Sequence, residues 1–147
     1  MILLLCLAAT LFMTGVIWIV QIVHYALFDG VGADGWSAYH RAHSRRITFV
    51  VLLPMVVELG TAGLMAFSPL FGIPHPVLWL GLLLAASTWA VTFFVSVPLH
   101  GRLARDFDAD TWQALVRTNW ARTLLWTAHA VVLLAALEEV LERGRAA

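Results

Sequence analysis

Lysine is absent from this chain of 147 residues, and charge of either sign is scarce, with Asp, Glu, Lys and Arg together making up 12%. A soluble domain carries about a quarter charged residues, so an ordinary water-soluble globule is excluded. Basic and acidic residues number nine each, for a net charge of zero, and nothing in that balance suggests a nucleic-acid partner. A single cysteine, Cys6, excludes a disulfide framework and a thiolate metal motif. Glycine-rich phosphate loops, G-x-x-x-G pairs and serine or cysteine nucleophile arrangements are missing as well.

What is present is apolar: 61% of the chain, gathered in segments 2–28, 47–67, 77–99 and 124–137. The first three each supply enough residues to cross about 30 Å of hydrocarbon at roughly 1.5 Å per residue. The fourth gains length because 112–141 reads as helix throughout. The first segment is expected to persist as a helix and not as a signal peptide. It has no basic leader, its apolar stretch is too long, and it carries Gln21 and His24. The expectation is an all-α, single-domain integral membrane protein. It is an up-down-up-down four-helix bundle with helices at about 2–28, 43–67, 77–100 and 112–141.

In that topology seven arginines (41, 45, 46, 102, 105, 117 and 122) belong to one membrane face, and only Arg143 and Arg145 to the other. The positive-inside rule places the arginine-rich face in the cytoplasm, with both termini outside, as in a bacterial inner membrane. The glycine- and aspartate-rich stretch "DGVGADGWSAYH" reads as a connector or lid over that face. Trp36, Trp79, Trp112 and Trp120 read as an interfacial aromatic belt.

The same topology gathers histidines. His24 lies near the end of the first helix, His40 and His43 lead into the second, and His100 closes the third. Asn119 and Arg122 open the fourth, with Trp126 and His129 on the same face. An isolated H-x-x-H pair is more often wet surface than ligand. Joined by His24 and His100 it becomes a candidate metal site, since imidazole suits iron, copper and zinc. Haem on one or two of these histidines is the other reading. Polar residues Thr88, Thr92, Ser96 and His100 repeat every four positions along one side of the third helix. Such stripes should face into the bundle, because polar groups facing hydrocarbon are costly. Glu58 and His129 fall deeper, Glu58 as a candidate proton relay and His129 as its partner. His75, at the opposite face, has no expected role.

Two short elements carry a family resemblance: Pro98, His100 and Leu103 as P-x-[NH]-x-x-L, and Asn119, Trp120 and Arg122 as N-W-x-R. With four short spans, they resemble the anthrone-oxygenase-like family of small bacterial and fungal membrane proteins. The resemblance implies the four-helix plan and a polar site at the junction of the third and fourth helices. His100, where the family often has asparagine, and the His40/His43 pair depart from its pattern.

The function expected from these residues is a metal-dependent membrane oxidoreductase, with an oxygenase of a hydrophobic substrate as one form of it. The metal ligands would be His24, His40, His43 and His100, with Glu58 and Arg122 as candidate catalytic groups and Asn119 and Trp126 at the cofactor. The alternatives are a haem- or pigment-binding subunit, or a small-ion transport or scaffold protein. Expected partners are the lipid bilayer and a hydrophobic small molecule, with a homo-oligomer or larger membrane complex left open.

Overall fold

The computed structural model describes residues 1–68 and 72–146. Part of the predicted "FSPLFGIPHP" loop, residues 69–71, lies outside the described residues. Four helices account for nearly everything else: Ile2–Val31, Ala33–Phe67, His75–Leu103 and Ala109–Ala146. Each contains a window long and apolar enough to cross a membrane. They pack as a bundle in which each helix touches its chain neighbours and the fourth closes against the first. The all-α, up-down-up-down plan expected from the apolar runs is the plan observed, and the chain is an integral membrane protein.

The surface follows the same logic. Phe49, Leu53, Leu83 and Phe94 are all more than half exposed. In water so broad an apolar exterior would drive aggregation; against lipid tails it is the surface the solvent requires. Inside, one end of the bundle is sealed by small and aliphatic residues, among them Cys6, Ala62, Ala66, Ala85 and Ala136. Small side chains let the helix backbones approach closely, which is how membrane helices gain packing energy without a hydrophobic driving force. The other end is filled by larger groups, including Tyr25, Phe28, Trp36, Leu115 and Trp126.

The second helix begins at Ala33, about ten residues before its predicted start, so the expected lid is helix. Intrinsic propensity argues against helix in a segment with Asp34 and Gly35, but tertiary packing overrides it. Trp36, His40 and His43, at spacings of four and three, turn one face into the bundle, and all three are buried. The connector from the first helix shrinks to Gly32, whose φ of +77° is one that side-chain-bearing residues rarely adopt. Trp36 is therefore no interfacial belt residue: its Nε1–H donates to the Leu103 carbonyl at 2.6 Å, closing an open end of the third helix. Trp112 likewise turns inward, donating to the Tyr25 carbonyl of the first helix at 2.8 Å. Trp79 and Trp120 are exposed, as an aromatic belt would have them.

The fourth helix starts at Ala109, slightly ahead of its predicted start, so Asn119 and Arg122 lie about three turns inside it and do not open it. Asp108 caps that start by accepting from the Thr111 backbone amide at 2.8 Å. The Thr111 hydroxyl and amide hold the Asp108 carboxyl below its usual range. A folded-state pKa below the unfolded one stabilises above the unfolded value, and the contribution disappears as pH falls through the folded one. Acidification is therefore expected to fray the first turn of this helix before the bundle opens. Faster amide exchange at Thr111 and Trp112 with falling pH, after allowance for the intrinsic rate, is the measurement that checks it.

Candidate functional site

Two wide π turns interrupt the helices beside the cluster. In the first helix the turn spans Val20–His24, followed by a tight 3-10 stretch, Tyr25–Val31. In the third it spans Thr92–Ser96, just before Pro98. Proline lacks an amide hydrogen and crowds the carbonyl four residues back, so a widened turn ahead of it relieves the conflict. Each wide turn inserts an extra residue and rotates the rest of its helix about the axis. Gln21 and Ser96, inside these turns, are both buried.

The result is a knot of imidazoles drawn from three helices. His24 Nε2 lies 2.7 Å from His43 Nδ1, and His40 Nε2 lies 3.1 Å from His100 Nδ1. His100 Nε2 is in turn 2.8 Å from the Tyr25 hydroxyl. Ring centroids of His40, His43 and His100 form a triangle with sides of 5.3, 5.8 and 6.4 Å. His24 stacks on His43 at 4.4 Å, outside that triangle. All four sequence-predicted histidines are thus brought together, whereas His75 starts the third helix at the opposite end.

Spacing decides how well this donor set fits a metal. Imidazoles bound at about 2.0–2.1 Å have ring centroids roughly 4.5–5.5 Å apart in tetrahedral or cis-octahedral arrangement. The observed triangle is slightly wider. Buried His40 Nδ1 and His43 Nε2 have no hydrogen-bond partner. Among the described residues no three histidine, cysteine, aspartate or glutamate side chains already aim at one point. The rings are neighbours without converging on one point, so a closed shell would require them to rotate.

Beside the cluster, a groove of about 420 Å³ opens between the first and second helices. Its walls are aliphatic (Val16, Ile19, Val20, Ile47, Val50), and His24, Tyr39, His43 and Arg46 line its polar end.

Asn119 and Arg122 lie below the imidazoles. Gln21 Nε2 donates to the Val116 carbonyl at 3.1 Å, and Asn119 Nδ2 donates to Gln21 Oε1 at 2.9 Å. Arg122 Nη1 then donates to Asn119 Oδ1 at 3.2 Å, and its guanidinium sits 5.1 Å over the Trp126 ring. Asn119 is therefore a cross-helix link and not a cap, and Arg122 is buried and does not reach the membrane face.

Glu58 belongs to a separate layer. Its carboxylate accepts from Thr10 Oγ1 at 3.1 Å, from Trp126 Nε1 at 2.7 Å and from His129 Nδ1 at 2.7 Å. Thr88, on the inward stripe of the third helix, bonds its own helix, to the Ala85 carbonyl. His129 Nε2 faces Gly81, where a Cβ would come within 3.3 Å. Trp126 thus joins two layers, with Arg122 on its face and Glu58 at its edge.

No protein family, curated protein or solved structure matched the chain. The likeness to other small membrane proteins therefore stands on the four-helix plan alone. Tyr25 and Thr10 are the site-lining residues that sequence reasoning missed. Tyr25 adjoins His24 and could have been flagged only by knowing that the helix tightens there. Thr10 lies one turn before Thr14, and with Gln21 and His24 that spacing could have marked an inward polar face of the first helix.

Proposed function

We propose that the chain is a metal-dependent membrane oxidoreductase in which His40, His43 and His100 hold a transition metal and a hydrophobic substrate arrives from the bilayer. The observation that supports this reading is the triangle of imidazoles from two helices, in which His40 and His43 are buried and each keeps one ring nitrogen without a partner. Leaving a buried nitrogen unpaired costs about 1–3 kcal/mol, a cost that a bound ion would offset. Rings separated by only 5.3–6.4 Å leave no slot of the width a macrocycle fills, which favours an ion over haem. Iron or copper would supply one-electron chemistry there, and zinc would fit the same donors without it.

The remaining residues act as supports. His24 orients His43 through its ring nitrogen, and Tyr25 fixes His100, as outer partners do for ligating imidazoles. The aliphatic groove lets a lipid-soluble molecule reach His24 and His43 sideways without crossing water. Glu58, held by three donors, is placed to pass protons within the bundle. The arginine-rich end faces the cytoplasm in this reading, with both termini outside.

Elemental analysis and the visible spectrum of protein purified from its native membrane test the reading. Iron or copper near one equivalent per chain, with only weak visible absorption, is the expected result. A strong Soret band would replace the ion with haem. A colourless, metal-free protein would sink the oxidoreductase and leave transport or scaffolding.

A further inference from the structure

A cavity of about 110 Å³ lies between the helices beside His100 and Arg122, with exposed Thr48 and Val97 at its mouth. Arg122, Ser96, Thr92, Thr48, Tyr25 and His100 supply its polar lining. Arg122 is 7% exposed and Ser96 is 3% exposed, and neither Arg122 Nε nor Ser96 Oγ has a hydrogen-bond partner. Among the described residues the ion pairs are Glu58 with His129 and Arg143 with Glu139, so no carboxylate lies within 4.0 Å of the Arg122 guanidinium. Glu58, the buried carboxylate of this bundle, already has three donors.

A guanidinium without a counter-charge at this depth is costly, because nothing of opposite sign offsets its desolvation. Intramembrane ionisable groups retained without a protein partner face a ligand or an ion path. The Gln21–Asn119 relay fixes one edge of the guanidinium and Trp126 covers one face, while Nε has no partner. Guanidinium geometry matches a planar oxyanion, and an adjacent hydroxyl adds a donor. The volume holds about four waters, enough for a carboxylate on a short carbon stub.

We infer that this cavity binds a carboxylate, held by the Arg122 guanidinium and the Ser96 hydroxyl. Val16, Val20 and Ile47 line both this cavity and the lateral groove, so a single thin wall separates them. The carboxylate has two available sources, a free small acid or the head of an apolar acid whose tail occupies the groove. The site does not depend on a metal at the imidazoles.

Binding is tested on the full chain in detergent micelles, with and without chelator, using formate and decanoate as probes and thermal unfolding or calorimetry as readout. Saturable binding is expected to fall at least tenfold in Arg122→Met and several-fold in Ser96→Ala. Formate binding as tightly as decanoate identifies a free-acid site; decanoate binding alone identifies the head of an apolar ligand. Should Arg122→Met fail to fold, Ser96→Val, which fills the cavity from a position with no bond to lose, decides in its place. Binding undiminished in the variants that fold, or no binding of either acid, overturns the inference.

Discussion

Alanine at Glu58 is expected to destabilise the protein by about 3–6 kcal/mol, and glutamine by no more than about 1. The carboxylate accepts from Thr10, Trp126 and His129, which are all fully buried. Alanine leaves three donors without an acceptor where no water reaches them, each at about 1–3 kcal/mol. Thr10 can recover part of its share by turning to its own helix, which places the sum below the full total. Glutamine keeps one oxygen for Trp126 and offers its amide to His129 Nδ1. The imidazole proton then moves to Nε2, which has no partner now. Denaturant unfolding in micelles, followed by tryptophan fluorescence, measures both variants. Equal stability of the two would mean that the network contributes little. Glutamine also isolates the relay role, since turnover at the normal rate in Glu58→Gln would assign this residue to structure alone.

His100→Ala and His43→Ala should each weaken metal binding by at least about 100-fold, above the 10–100-fold typical of losing an outer partner. Each removes one corner of the triangle. His24→Ala should fall within that lower range, because His24 touches the triangle only through His43. His75→Ala is the control: the same residue type at the other end of the bundle, with no expected change. Competition against a chromophoric chelator ranks the four. A flat series, or His75 ranking with His100, would remove the ligand assignment.

Much of this arrangement was legible in the chain. Apolar runs long enough to span a bilayer dictated the bundle, and counting spans placed four histidines at one end. Three features escaped for physical reasons. The start of the second helix was hidden because Gly35 and Asp34 read as connector, although Trp36, His40 and His43 already carried a helical four-and-three spacing. The burial of Arg122 was missed because its charge counted it with the arginines of the membrane face, although the fourth helix was expected to begin well before it. The wide turns at 20–24 and 92–96 leave no compositional mark beyond Pro98, yet they set the aim of the side chains beyond them.

The joint at Gly32 has a consequence for biosynthesis. Every residue lining the lateral groove, and three of the four clustered imidazoles, come from the hairpin on either side of that glycine. Chains emerge from the ribosome amino end first, so the half-site and its lipid-facing entrance are made before His100 and Arg122 exist. Assembly then reduces to one late event, the docking of the carboxy-terminal hairpin, which delivers the last imidazole and the buried cation together.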